Sequence, residues 1–262
     1  MNNILETICT NKRHEVAEQK RITGIEQLKE QLQATSRKKI SFRQALETSA
    51  TGIIAEFKRK SPSKGWIHRD ADIEQVVRGY EAGGASAVSC LTDEKFFGGS
   101  FSDFEKARSA LTRIPLLRKD FIVDEYQLYQ SKALGADAVL LIAACLSRDE
   151  VQRFVDLAHE LDMETLLEIH SESELSHIPP VADVIGINNR DLKTFITDIS
   201  HTVRLSRLIP AEFVKISESG LSSPDTVIAL RREGFRGFLM GENFMKTARP
   251  ERTLIEFIKM IA

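Results

Sequence analysis

Two lysines and two glutamates sit where short apolar runs end. Glu56 and Lys58 fall at the end of "IIAEF" and just beyond it, Lys119 closes "PLLRK", and Glu168 stands near the end of "ETLLEI". Carboxylates and amines are the groups that move protons and steady developing charge. Residues two apart in a strand share a face, so Glu56 and Lys58 can point the same way. Taken singly, each is equally well a solvated loop charge. As a set on apolar runs they are harder to read so, because charged side chains are rarely buried without partners or purpose. Asn188 to Asp191 end a further run, and "SESG" (217–220) and "GEN" (241–243) end the last two. Gly220 and Gly241 each precede a helix start, where bare backbone N–H groups suit a phosphate, and Lys58 and Ser61 would complete such a seat. Turns use glycine anyway, so two glycines alone decide little. Phe96, Phe97 and Phe121 lie just past run ends. They read either as cover for a rim or as a wall for a ring-bearing ligand. His170 stands at a run end too. The six histidines include no pair at metal-ligand spacing, so no metal is assigned.

The elements that must carry these residues are eight short runs: 53–57, 87–91, 115–119, 138–144, 164–169, 184–188, 213–217 and 237–241. They are too short for helices and rich in Val, Ile, Leu and Phe, as strands buried on both faces should be. Helix signals lie between them. Asp72 precedes a face of Ile73, Val76, Val77 and Tyr80, with Gly83 or Gly84 to end it. Ser147 and Glu150 have capping-box spacing, as do Ser171 and Glu174; Pro224 and Pro250 stand at first helical positions. Eight strand–helix units with no composition shift predict one (β/α)8 TIM barrel domain over 1–262; a doubly wound open sheet is the competing architecture. Residues 1–50 precede the first strand. Ile4, Leu5 and Ile8, then Ile25, Leu28 and Leu32, predict an N-terminal helical extension lying over the barrel mouth.

A formal net charge of -2 and a pI of about 6.3 argue against a general nucleic-acid or membrane-surface role. Cys9, Cys90 and Cys145 are widely spaced, and the latter two sit in apolar runs, so reduced, buried thiols are expected. The charged N-terminus resembles neither a signal peptide nor a membrane span, and a cytoplasmic protein is expected.

"IIAEFKRKSPSKG", "LLRKDFIVDEYQ", "LLEIH", "IGINNRDL", "SESG" and "FLMGENFM" together resemble the motifs of the indole-3-glycerol-phosphate synthase family, in the family's order, from about Ile4 to the C-terminus. The resemblance implies a (β/α)8 barrel with an N-terminal helical segment. It implies closure of the indole ring of 1-(2-carboxyphenylamino)-1-deoxyribulose 5-phosphate with loss of carbon dioxide and water, without metal or cofactor. By motif, Lys119 resembles the general acid. Glu168 and Glu56 would move protons and stabilise cationic intermediates, Lys58 would aid dehydration or hold polar groups, and Asn188 and Ser219 match supporting positions. Arg190 resembles the residue that pairs with the anthranilate carboxylate. Ser61, Gly220, Gly241 and Glu242 match the phosphate site, although "GEN" departs from the small or hydroxyl residue some relatives carry after the glycine. Phe97 and Phe121 resemble the aromatic wall. A partly desolvated lysine among other cations should have a lowered pKa. A monomer acting on a phosphorylated small molecule, with no nucleic-acid or membrane partner, is expected. Three other readings stay open: a Schiff-base aldolase with Lys119 as nucleophile, phosphoribosylanthranilate isomerase (which uses a cysteine–aspartate pair where this chain has Glu56 and Lys58), and a phosphosugar sensor without chemistry.

Overall fold

The computed structural model describes residues 4–33, 37–190 and 196–261. Eight parallel strands close into a barrel: β1 (Ile53–Phe57), β2 (Ala87–Leu91), β3 (Leu116–Lys119), β4 (Ala138–Ile142), β5 (Glu164–Ile169), β6 (Val184–Asn188), β7 (Val214–Glu218) and β8 (Gly237–Met240). Each pairs with its sequence neighbours, and β1 pairs with β8 to close the ring. The open-sheet alternative is thereby excluded.

Alternation along the strands builds two cores. Ile54, Leu117, Leu166, Val184, Ile216 and Leu239 fill the barrel, while Ile53, Val88, Leu116, Val139, Ile185 and Phe238 pack outward against the helices. The inward parity carries on past the apolar layer. Two residues after Ile54 comes Glu56, after Leu117 Lys119, after Leu166 Glu168, and after Ile216 Glu218. The strand register therefore delivers four ionisable side chains to one end of the barrel, the end where (β/α)8 chemistry is placed.

Among the described residues the extension forms three helices: α1 (Ile4–Ile22), α2 (Ile25–Gln33) and α3 (Phe42–Thr48). Sequence periodicity predicts the first two. α3 went unread because seven residues offer only Phe42 and Leu46 as an apolar pair. It is capped by Ser41, whose hydroxyl accepts from the Gln44 N–H at 3.0 Å. Phe42 and Leu46 are fully buried and plug the bottom of the barrel against Ile54, Ala87 and Val184. α1 lies at the opposite end. Its buried stripe is Leu5, Ile8, Cys9, Lys12 and Val16.

Around the barrel run α4 (Ile73–Ala82), α5 (Glu94–Phe97), α6 (Phe101–Ala110), α7 (Tyr126–Ala133), α8 (Arg148–Glu160), α9 (Ile199–Ser206), α10 (Pro224–Arg232), α11 (Glu242–Met245) and α12 (Pro250–Ile261). Asp72 caps α4, Ser147 and Glu150 form a complete capping box on α8, and Pro224 and Pro250 open their helices, as the spacing predicts. Two expectations fail. Glu172–His177, after β5, is a 3-10 turn, and Ser171 makes no cap bond there. The Glu174 carboxylate instead accepts from the His170 backbone N–H at 2.7 Å, so the acid serves the strand end and not a helix. The fourth run stops being strand at Ile142. Ala143–Cys145 is a 3-10 turn, which takes Cys145 out of the strand. Among the described residues no helix is long and apolar enough to cross a membrane.

Candidate active site

A cavity of about 470 Å³ opens at the C-terminal end of the strands. Every residue assigned by motif lines it: Glu56, Lys58, Ser61, Phe97, Lys119, Phe121, Glu168, Asn188, Arg190, Ser219, Gly220, Gly241 and Glu242. Ile4, Leu5 and Ile8 of α1 supply an apolar side, so the extension does reach the mouth.

Lys119 is the centre of the floor. Its Nζ donates to Glu168 Oε2 at 3.0 Å and to Glu218 Oε2 at 2.6 Å. Asn188 Nδ2 donates to the other oxygen of Glu168 at 3.0 Å. A second pair, Lys58 with Glu56 at 2.5 Å, stands beside it. Two glycines make room for these carboxylates. A Cβ at Gly186 would meet Glu218 Oε1 at 2.1 Å, and one at Gly241 would meet Glu56 Oε1 at 2.5 Å. After β7 the chain turns through Ser219 and Gly220, both left-handed at φ 68° and 69°. That conformation is costly for serine, and Asn189 holds it by donating to the Ser219 carbonyl at 2.7 Å.

Three further lining side chains are Phe97, Phe121 and Arg190. Phe97 and Phe121 pack with centroids 5.8 Å apart at 36°, giving one aromatic surface. Arg190 has a buried Nε with no hydrogen-bond partner among the described residues, while its backbone N–H donates to Asn188 Oδ1 at 3.0 Å. Asp191 and Leu192, which end the "IGINNRDL" motif, lie outside the described residues. Phe96 does not line the cavity, and Trp66 is half exposed, under Lys60 and Arg69.

The charges settle in a way the sequence reading reversed. Burial alone would lower the Lys119 pKa, but Glu168, Glu218 and Glu56 outweigh it and push it up. The expected lowering assumed cations as neighbours; the register places carboxylates there. Burial raises Glu168, yet Lys119, His170 and Asn188 hold it well below the usual carboxylate range. His170 does not line the cavity. It lies behind Glu168, 3.1 Å from Oε1, out of line for a hydrogen bond but close enough to pair charges. Burial lowers His170, and Glu168 with Glu174 overcome that and raise it to about 10.

A model of the indole-3-glycerol phosphate synthase family matches residues 5–257. The chain belongs to the indole-3-glycerol phosphate synthase family. Curated proteins called indole-3-glycerol phosphate synthase are similar to it from end to end. The one from Bacteroides thetaiotaomicron is 54% identical over 100% of both chains. The one from Caldanaerobacter subterraneus subsp. tengcongensis is 40% identical over 98% of each. The one from Clostridium acetobutylicum is 39% identical over 98% of this chain and 97% of its own. A chain from a structure of the Pyrococcus furiosus tryptophan synthase α2β2 complex shares 15% identity at a TM-score of 0.58, covering 81% of this chain and 97% of its own, and bears on the fold alone. As a family member the chain is a carboxy-lyase of tryptophan biosynthesis. It closes the indole ring of 1-(2-carboxyphenylamino)-1-deoxyribulose 5-phosphate with loss of carbon dioxide and water.

Glu218 stands in the "SESG" that ends the seventh run, but the sequence alone gives it no role. The apolar run is bounded at Ser217 with Glu218 among the polar residues that close it, and β7 extends to include Glu218. The signal was there in the parity of Val214, Ile216 and Glu218. Glu218 is 1% exposed, and burial raises its pKa against the pull of Lys119, with Glu168 adding to the rise, to about 7. A raised folded-state value stabilises fully below the ordinary 4.5 and loses that contribution as pH climbs through about 7. Ionised Glu218 therefore costs about 3 kcal/mol above pH 8. Glu218→Gln removes that cost. Thermal unfolding should show the variant near wild type at pH 5 and more stable at pH 8. Equal differences at both pH values would remove the buried ionisation from the account.

Proposed function

We propose that Lys119 is the general acid of the ring closure, and that the other lining residues bind, orient and stabilise the substrate around it. The observation that carries this is the position of Lys119 Nζ, 3.0 Å from Glu168 and 2.6 Å from Glu218 at the floor of the cavity. A lysine so placed is fully protonated before reaction, the state from which a proton donor must start. It protonates the ketone-derived oxygen as the ring carbon attacks. Glu218, titrating near neutrality and in contact with Nζ, is suited to return the proton. Glu168, kept ionised by its neighbours, stabilises the cationic intermediate; Glu56 shares this work, and Lys58 aids departure of the hydroxyl. Asn188 fixes Glu168, and Ser219 supports the turn that follows β7.

Arg190 receives the ring carboxylate, for which its buried Nε, without a hydrogen-bond partner among the described residues, is suited. Phe97 and Phe121 flank the ring. Ser61, Gly220, Gly241 and Glu242 take the phosphate, away from the reacting atoms, and hold the flexible chain in a reactive shape. The chain works as a single-domain cytoplasmic monomer without nucleic-acid or membrane partners. The direct test is to add the anthranilate-linked deoxyribulose phosphate and follow indole fluorescence; no signal overturns the reading. A Schiff base on Lys119 needs a neutral amine, which the carboxylates around it oppose. Borohydride trapping of substrate on Lys119 would reverse that preference.

Arg190→Ala should raise KM for the natural substrate by about 10- to 100-fold, since a charge-assisted partner worth ~1.5–3 kcal/mol is lost. A substrate analogue without the ring carboxylate should bind both proteins equally. Unequal binding of that analogue would separate Arg190 from the carboxylate.

A further inference from the structure

Cys9 and Cys145 lie 136 positions apart in the chain, yet their sulfurs are 2.8 Å apart. That is well inside the ordinary contact distance of two sulfur atoms and within an ångström of a disulfide bond length of about 2.05 Å. Cys9 belongs to the buried stripe of α1, and Cys145 to the turn that follows β4. Around them are Leu5, Val123 and Phe121, so the pair sits between the extension and the aromatic wall of the cavity. Both thiols are free. Cys145 is partly exposed, which gives a small oxidant a route to the pair. The third cysteine, Cys90, is fully buried in β2 and does not compete.

We propose that Cys9 and Cys145 are a modification site: a reversible disulfide that staples the N-terminal helix to the barrel mouth under a peroxide-class oxidant. Contact with Cys145 lowers the Cys9 pKa despite burial, and the same contact raises that of Cys145, so Cys9 is the sulfur that more readily becomes the thiolate. One sulfur takes an oxygen from hydrogen peroxide to give a sulfenic acid, and the other peroxide oxygen leaves as water. The second thiol then displaces the hydroxyl as a second water. Two thiols become one disulfide, two electrons pass to the peroxide, and no other reactant is needed.

The staple fixes the helix that carries Ile4, Leu5 and Ile8 over the cavity. Opening of such a cover governs substrate entry and product release, so the oxidised chain should turn over more slowly. This consequence rests on the cavity being the active site; the cross-link does not.

The test treats the reduced full chain with hydrogen peroxide and maps its peptides without reductant. Two of the three thiols should be lost, with one peptide joining Cys9 to Cys145 and a mass lower by two hydrogens. Proteolysis within α1 should slow ~10-fold or more, because cleavage follows opening of the segment. Turnover should fall and return with dithiothreitol. Cys9→Ser and Cys145→Ser should keep basal turnover and lose all three responses. Unreacted thiols, sulfinic acids without a cross-link, a cross-link between two chains, or a cross-linked chain in which α1 is cleaved as fast as before would overturn the proposal. A cross-link in a chain with no ring-closing activity even when reduced would instead count against the reading of the cavity while the site stands.

Discussion

Lys119→Met should lower kcat by about 10²–10⁴-fold while KM for the substrate changes little, the loss expected when a general acid is removed. Methionine keeps most of the stem volume and removes the proton. The barrel should still fold, although the change leaves two carboxylates at the floor. Glu168 keeps Asn188 at 3.0 Å and His170 behind it. Glu218, already raised to about 7, meets the loss of its cation by taking a proton. The phosphate end of the cavity, at Ser61, Gly220 and Gly241, is untouched. The competing account makes Lys119 an attractor of the anionic substrate. It requires KM to rise, kcat to hold, and added salt to weaken wild-type binding in the same way. Steady-state kinetics of the variant at two salt concentrations separates the accounts, and near-normal kcat ends the assignment of Lys119 as acid.

The barrel was legible because strands buried on both faces must be apolar, and eight short apolar runs alternate with helix signals along the chain. The positions that line the cavity were legible for a related reason. An apolar strand that ends in Glu or Lys has put a costly group where solvent is scarce, as at Glu56, Lys119 and Glu168. What escaped the sequence depends on register and on distance along the chain. Glu218 is visible at the end of the seventh run, but only the register shows that it turns inward beside Lys119. The sign of the Lys119 shift depends on which charges the register brings beside it, and no local pattern reports that. The spacing of Ser171 and Glu174 suggested a capped helix, but Glu174 was claimed by His170, and the segment became a 3-10 turn. Cys9 and Lys12 lie on a stripe whose partners, Cys145, Asp93 and Asp120, are brought up only by the closed barrel.

Lys12 carries the other large effect. It is 4% exposed, and its Nζ stands 3.0 Å from both Asp93 and Asp120, where β2 and β3 give way to loops. Asp120 also receives Arg118 at 3.0 Å, so the network runs from α1 to the residue next to Lys119. Burial raises Asp120, but Lys12 and Arg118 bring it down to about 2; Asp93 stays raised by burial even with the lysine present. Removing one partner of a buried ion pair leaves an uncompensated charge, so Lys12→Met should cost ~3–5 kcal/mol of stability at neutral pH, read by denaturant unfolding. The cost should shrink in acid, where Asp93 takes a proton and needs the lysine less. Lys12 does not line the cavity, so any effect on turnover must run through the position of α1. With its tie gone, α1 should become open to proteolysis, and the cavity should lose the side made by Ile4, Leu5 and Ile8. Turnover should then fall even under conditions where the barrel stays folded by circular dichroism, because the mouth no longer excludes water. Lys12→Arg should restore much of both properties by keeping the charge. A Lys12→Met chain that matches wild type in unfolding, in α1 protection and in kcat would show that the extension is held at the mouth by its apolar stripe alone.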